Sequence, residues 1–283
     1  MTAEKLLQLG SRWLKRTSSP QLDAEVLLAH VTGQTRSHLL ANTQAPVGLF
    51  AVLSYFWLLG QAWRGTPIAY LTGEREFYGR TFKVTKATLV PRPETELLVN
   101  EVITTIHAHG SLGTVVDIGA GSGCIAITLA LELPRLKVYA GDVSPRALTV
   151  ARSNTLRYGL GSHLHLLCGN LLEPFIQGKL LTPTTLVVAN LPYLRPAEYS
   201  GGLRFEPRGA LVGGADGLAL YRRLIMQLNQ LSPAERPKWM VLELHPPTAA
   251  HVVALVKNTF PSCHTELRND LSGRPRVLNV QLT

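Results

Sequence analysis

Cysteine is scarce in this chain. Among its 283 residues only Cys124, Cys168 and Cys263 occur, far apart and with no Cys-x-x-Cys pair, which argues against a zinc site or a disulfide framework and favours a reducing cytoplasm. Acidic residues are in deficit: 19 Asp and Glu against 28 Lys and Arg leave a formal net charge of +9. An acidic surface or nucleic acid suits such a chain as a neighbour, but charge alone names no function. A long apolar run is missing too. The amino terminus, MTAEKLLQLGSRWLKR, lacks the unbroken apolar core of a signal peptide and reads as a helix of the folded protein. The greasiest stretch, PVGLFAVLSYFWLLGQAW at 46–63, lies where no Asp, Glu, Lys or Arg occurs between Arg36 and Arg64. Ser54, Gly60 and Gln61 interrupt it short of the ~18–20 apolar residues that span a bilayer. A buried helix is therefore expected, ahead of a membrane segment or a greasy docking face, with Trp13, Trp57 and Trp63 packed inside.

What is present is ample for a core: 46% of the residues are hydrophobic, enough for one large domain or two. The chain to about residue 72 reads as helical. In SSPQLDAEVLLAHVTG, Ser19 and Pro20 mark a helix start, Leu22, Val26 and Ala29 form its apolar face, and Gly33 its stop. Phe77, Phe82 and Val84 around Gly79 predict a short hairpin. From about residue 94 strands alternate with helices. Strands are expected near 114–118, 137–141, 163–167, 185–189 and 238–243, with helices near 124–132, 145–157 and 216–230, which implies a mostly parallel sheet covered on both faces. HTELRNDLSGRPRVLNVQL adds two strands that suit an antiparallel edge.

The chemistry gathers at strand ends. TVVDIGAGSGCIAITLA runs from a strand through Gly119, Gly121 and Gly123 into a helix, a turn that lets a ligand approach the backbone and meet free N–H groups. Cys124 stands where the dinucleotide pattern wants its third glycine, so a nucleoside-containing ligand without a pyrophosphate fits better than a nicotinamide or flavin dinucleotide. Asp142, after KVYAG, suits the ribose hydroxyls, with capping of the Ser144–Pro145 helix start as its plainer alternative. Asn170 either offers an acceptor to an adenine amino group, with Leu171 packing on the base, or is a plain loop asparagine. VVANLPYL ends a buried strand at a rigid polar mouth. His107 and His109, and His163 and His165, form His-x-His pairs without accompanying ligands and read as structural or solvated, so no metal is expected. Glu94 and Glu96 suit either a substrate entrance or a first helical turn.

DAEVLLAHVTG, PIAYLTGEREFYGRTFKV, LVPRPETELLV, VVDIGAGSGCIAI, GDVSPRALTVARSN, ANLPYL, EPRGALVGGADGLALYRRL and LSGRPRVL span both halves in order. On these stretches the catalytic half resembles S-adenosylmethionine-dependent methyltransferases of the seven-stranded kind. The whole chain resembles the release factor glutamine N5-methyltransferases, the HemK/PrmC family. PRPETE at 91–96 separates it from related ribosomal-protein and adenine methyltransferases, which usually differ there. The resemblance implies an α/β fold: a seven-stranded, mostly parallel sheet of the Rossmann-like methyltransferase type, preceded by a small helical bundle and a β-hairpin linker. It implies domains at 1–72 (helical, substrate recognition), 73–93 (hairpin linker) and 94–283 (methyltransferase).

It implies S-adenosyl-L-methionine as cofactor, held by Asp117, Gly119, Ala120, Gly121, Ser122, Gly123, Asp142, Asn170, Leu171 and Asn190. The catalytic and substrate-binding loop, Asn-Pro-Pro-Tyr in the family, falls on Asn190, Leu191, Pro192 and Tyr193. The expected substrate is the Gly-Gly-Gln loop of peptide-chain release factors, and the expected protein is a cytoplasmic monomer with no membrane and no stable nucleic-acid complex. Adenine methylation in nucleic acid, or a noncatalytic nucleoside-binding relative, is the alternative. The chain departs from the family pattern at Leu191, at Asn170 where Asp is common, and at His245 where glycine is usual. Leu191 keeps the main-chain carbonyl that the chemistry needs and still precedes Pro192, which holds it extended.

Overall fold

The structure is a computed structural model that describes residues 1–110 and 112–282. The chain divides into two compact units, Met1–Glu74 with Gly201–Phe205, and Arg75–Ser200 with Glu206–Thr283. The smaller unit carries α1 (Ala3–Trp13), α2 (Pro20–Thr32), α3 (Arg36–Ala41), α4 (Leu49–Trp63) and α5 (Ile68–Thr72). Helix α2 begins at Pro20 and stops at Gly33, whose φ of 66° is left-handed; Ser19 makes no side-chain cap bond, so the fixed φ of Pro20 sets the start. Its inward face is only partly the expected one, with Ala29 buried and Val26 half-buried. Ala24, Leu27 and Leu28 are fully buried while Leu22 is exposed, because the ridge at 24–27–28 is the one that meets its neighbours and the first turn points away.

Helix α4 also departs from expectation. It is one-sided rather than buried throughout: Val52, Tyr55, Leu58, Leu59 and Ala62 face inwards, but Phe50 is 87% and Trp57 64% exposed. Trp13 and Trp63 face solvent as well. A helix of 15 residues in a unit of short helices finds partners for one stripe only. Trp13 keeps an edge contact with Phe56, their ring centroids 5.9 Å apart. Among the described residues no helix is long and apolar enough to cross a membrane.

A hairpin of β1 (Glu74–Phe77) and β2 (Arg80–Lys83) follows. Its turn residues Tyr78 and Gly79 both have positive φ, 52° and 67°, the turn geometry that matches the twist of paired strands. Phe77 and Phe82 are buried in one apolar layer of the larger unit. Then α6 (Thr95–Ala108), β3 (Thr114–Ile118), α7 (Cys124–Glu132), β4 (Lys137–Asp142), α8 (Pro145–Arg157), β5 (Leu164–Cys168), α9 (Glu173–Gln177) and β6 (Thr185–Ala189) alternate. They lead to α10 (Ala219–Gln230), β7 (Trp239–Glu243), α11 (Ala249–Thr259), β8 (His264–Asn269) and β9 (Pro275–Gln281). Helices α6 and α11 go beyond those the sequence pattern singles out; their apolar residues Val99, Val102, Ile106, Val252 and Val256 keep helical spacing but are diluted by Thr and His.

The strands form a seven-stranded sheet in the order β5-β4-β3-β6-β7-β9-β8, parallel except for β9, which is antiparallel to both neighbours. The expected α/β fold is thus present, antiparallel edge included. Helices cover both faces, which is why β6 is buried at every position: Val187 joins the layer under α10 and α11, and Val188 the layer under α6 and α7. Register then decides where function can lie. Ile118 pairs with Gly141 on one side and Ala189 on the other, and Asp142 pairs with Cys168. Gly119, Asp142, Gly169 and Asn190 therefore emerge on one edge, at β3, where the strand order reverses and open α/β sheets leave a crevice.

In the smaller unit, the close approach of α1, α2 and α4 rests on Gly10. The Tyr55 hydroxyl lies 3.3 Å from both the Leu6 and the Ala24 carbonyl oxygens, and a Cβ on Gly10 would stand 2.0 Å from it. Gly10→Ala is expected to destabilise the protein by about 1–3 kcal/mol through overpacking. Tyr55→Phe should cost about 1 kcal/mol through the lost hydrogen bond. Urea unfolding of both variants beside the parent measures this, and parental stability of Gly10→Ala would contradict it.

Candidate active site

At the reversal point opens a cavity of about 320 Å³. Gly119, Ala120, Gly121, Ser122, Asp142, Asn170, Leu171, Asn190, Leu191 and Pro192 all reach its wall, whereas Asp117, Gly123 and Tyr193 do not. Asp117 lies fully buried beneath the turn, where burial pushes its carboxyl up to about 7. Gly123, at φ 81°, caps α7 and backs onto Ile127 and Ala151. Cys124 opens α7 as a buried thiol, pushed up to about 12 by burial.

The turn is drawn against β4 by its own backbone, since the Gly119 and Ala120 N–H groups both donate to the Gly141 carbonyl at 2.8 and 2.9 Å. Asp142 completes it. One carboxylate oxygen accepts from Gly121 N–H at 2.9 Å and the other from Ser144 N–H at 2.8 Å. Ser144 in turn accepts from Ala147 N–H and caps α8. Capping and ligand binding are therefore not alternatives for Asp142, because each oxygen spends one acceptor site on the backbone and keeps another for a hydroxyl. Burial raises its pKa, and the Ser144 and Gly121 N–H bonds pull it back. Across the cavity Leu171 sits at φ 53°, an uncommon left-handed conformation for leucine, held by Leu172 N–H donating to Gln227.

The Asn190 amide nitrogen donates to the Thr95 hydroxyl at 3.2 Å, which leaves its oxygen uncommitted. Its own main-chain carbonyl would stand 3.6 Å from a Cβ on Gly119, so the glycine turn and the polar loop meet. Leu191 is 2% exposed and anchors the loop in the apolar layer under α10 and α11. Rigidity after Leu191 comes from an unanticipated clamp in the stretch LVGGADG. Leu194 N–H donates to the Leu211 carbonyl at 2.8 Å and Gly213 N–H to the Leu194 carbonyl at 2.9 Å. Cβ atoms on Gly213 and Gly217 would stand 2.2 Å from the Pro192 and Tyr193 carbonyl oxygens. Only glycine permits that approach. Tyr193 lies flat on His245, centroids 5.1 Å apart and planes 3° from parallel; the residue replacing the family's glycine thus backs the tyrosine ring.

Further wall residues include Thr88, Arg92, Thr95, Pro207 and Gly209. Glu206, 4% exposed, ties two of these segments by pairing with Arg92 and accepting from Val90 N–H at 3.0 Å. No spacing rule finds these residues; the only signal is that, Thr88 apart, they fall in the PRPETE and EPRGAL stretches. Glu96 accepts from Tyr78 N–H at 2.8 Å and Glu94 lies 3.5 Å from Arg276, so neither lines the entrance. His109 and His165 pack on Trp239 and Tyr139 respectively.

Family models match both halves: the PrmC N-terminal domain over residues 5–73 and the methyltransferase small domain over residues 93–196. The chain is 34% identical over 290 residues to the release factor glutamine methyltransferase of Bacillus anthracis, covering 100% of both chains. It is 39% identical over 279 residues to that of Burkholderia pseudomallei, covering 95% of this chain and 94% of the other. The chain belongs to the release factor glutamine methyltransferase family. It is a methyltransferase, and its cofactor is S-adenosylmethionine. Among solved structures, the hMettl16 catalytic domain in complex with MAT2A 3'UTR hairpin 6 superposes with a TM-score of 0.60 at 17% identity, covering 76% of this chain and 80% of that one. The N-terminal domain of human METTL16 in complex with SAH gives a TM-score of 0.51 at 17% identity, covering 73% and 77%. At that identity the likeness concerns the fold. The cavity fits the family's cofactor, because a half-buried carboxylate with spare acceptor sites, a Cβ-free turn and apolar walls converge on one crevice.

Gly213→Ala tests the clamp. Because the new Cβ would press on the Pro192 carbonyl and not on the glycine turn, cofactor affinity should stay within a few-fold while the methyl-transfer rate drops by roughly tenfold to a hundredfold. Calorimetry and a labelled-methyl assay read the two separately; an unchanged rate would show that the clamp does not set the loop.

Proposed function

We propose that the chain transfers a methyl group from S-adenosylmethionine to the side-chain amide nitrogen, N5, of the glutamine in the Gly-Gly-Gln loop of peptide-chain release factors. The observation that carries this reading is the Asn190 amide beside the Gly119 turn, its nitrogen engaged by Thr95 and its oxygen left for a substrate. When bound, the cofactor supplies an electrophilic sulfonium methyl. Asp142 would hold the ribose hydroxyls, Asn170 would accept from the adenine amino group, Leu171 would pack on the base, and the turn from Gly119 to Ser122 would let the ligand lie close to the backbone.

A glutamine nitrogen is a weak nucleophile because its lone pair is shared with the carbonyl. Asn190 Oδ1 and the Leu191 main-chain carbonyl would accept its two hydrogens, which would leave the lone pair free to face the methyl donor. Tyr193 stands outside the cavity wall and, stacked on His245, steadies the loop that carries Asn190. Such placement is worth up to ~7–11 kcal/mol in well-oriented systems, and polarisation by fixed acceptors adds to it. The helical unit serves as the grip on the release factor. We read the protein as a cytoplasmic monomer that forms no stable complex with nucleic acid.

Incubation with labelled cofactor and a release factor, beside DNA and RNA, tests the reading. Label should enter the release factor alone and map to the Gly-Gly-Gln glutamine. Asn190→Ala should abolish transfer with cofactor binding retained, whereas Asp142→Ala should weaken cofactor binding by about tenfold to a hundredfold, the worth of one or two hydrogen bonds to a charged group. Label in nucleic acid, or an active Asn190→Ala, would contradict it.

A further inference from the structure

We infer that the larger unit carries a further ligand site, between α6 and β8, for a small organic cation: a guanidinium or ammonium head with N–H donors on a short apolar body. The inference does not depend on the methyl-transfer reading. A cavity of about 240 Å³ lies there, and it shares no lining residue with the cavity at the glycine turn. Register explains its make-up. Gln281 pairs with Trp239 of β7 and His264 of β8, while Asn279 pairs with Val241 and Glu266, so these residues form two rows across one face of the sheet. Helix α6 packs on β7 and β9, whereas His264 and Glu266 on the edge strand β8 stay exposed.

Asn279, 9% exposed, carries the argument. Its neighbours on the same face, Val241 and Val277, are apolar and fully buried, and asparagine is a poor strand former. Its Nδ2 spends both hydrogens on α6, donating to Glu101 Oε1 at 2.8 Å and to Thr105 Oγ1 at 2.7 Å. Thr105 has its own hydrogen on the Glu101 carbonyl at 2.8 Å, so towards Asn279 its oxygen accepts. A flipped amide would set its oxygen against both acceptors, which fixes Oδ1 as the corner turned away from α6. That oxygen is buried and finds no donor among the described residues, although buried polar atoms in folded proteins mostly have a partner. Bracing Glu101 accounts for the nitrogen; it leaves the oxygen unexplained.

The surroundings choose the sign of the ligand. Arg268 lies between two carboxylates, its Nε 2.9 Å from Glu101 Oε2 and its Nη1 on Glu266 Oε1. Two acids against one guanidinium leave one negative charge in excess, in a chain whose formal charge is +9. Both Glu101 oxygens are engaged, but Glu266 keeps Oε2 uncommitted among the described residues, in the same row of the sheet as Asn279. A cationic N–H head there meets a carbonyl and a carboxylate, and the second bond is charge-assisted. One row along, Trp239 packs against His109 with ring centroids 4.1 Å apart. That pair gives the body of the ligand an apolar wall.

Butylguanidinium titrated into the full 15N,13C-labelled chain, followed by nuclear magnetic resonance, tests the site, with butylurea as the uncharged compound of the same shape. Butylguanidinium should move the Asn279 side-chain carbonyl and NH2 signals together with the backbone signals of β8. Saturation is expected at roughly millimolar concentration, the strength of a few contacts to so small a ligand. Butylurea should bind roughly tenfold more weakly, since it lacks the charge. The Glu266 side chain is 48% exposed, so Glu266→Gln should fold like the parent and weaken butylguanidinium by roughly tenfold. Glu235→Gln, at an exposed acid outside the cavity, should leave the affinity unchanged. Asn279 signals that stay fixed throughout the titration, butylurea binding as well as butylguanidinium, or a Glu266→Gln variant with parental affinity would each overturn the site.

Discussion

The site depends on one constraint, the parallel register of β3 with β4 and β6. Pairing Ile118 with Gly141 and Ala189 ends three strands at the same height. The glycine turn, the Asp142 carboxylate and the Asn190 amide then leave the sheet side by side. A slip of one residue would turn every side chain of β6 to the opposite face, and the apolar layers on both faces of the sheet forbid it. The core therefore does more than stabilise: it sets where a methyl donor and an amide could meet.

Around that edge the chain spends its buried polar groups on orientation. Asp142 binds backbone on both oxygens yet keeps acceptor capacity, Glu206 joins the Val90–Arg92 segment, and Thr95 engages the Asn190 nitrogen. Departures from the family pattern fall within this scheme. Leu191 sinks into the core, where a second proline would have stiffened the loop from within; Gly213 and Gly217 press on the carbonyls of Pro192 and Tyr193 from outside. His245 supplies a flat ring beneath Tyr193. Rigidity taken from the loop's own sequence is supplied by what packs on it.

Much of this is legible in the sequence. Strand–helix alternation placed the sheet, since β3, β6 and β7 are short apolar runs bounded by turns. Local rules marked the ends of α2 and α8, because Pro20, Gly33 and the Ser144–Pro145 pair act through backbone geometry. What escaped depends on distant packing. Leu22 and the tryptophans of the helical unit are as apolar as their buried neighbours, and only the number of available partners exposes them. Thr95 and Glu206 carry no spacing signal, for they meet their partners from far along the chain. Asp117 sits two residues before the turn in sequence but faces beneath it, outside the cavity wall, because strand alternation carries it there.

The central claim is that an amide is presented, oxygen outwards, to the glutamine nitrogen beside the cofactor. A crystal structure with S-adenosylhomocysteine and a Gly-Gly-Gln peptide addresses it most directly. The glutamine nitrogen should lie within hydrogen-bond reach of both Asn190 Oδ1 and the Leu191 carbonyl, with Asn190 Nδ2 still on Thr95. A glutamine bound elsewhere, or an Asn190 amide turned with its nitrogen towards the peptide, would contradict the account.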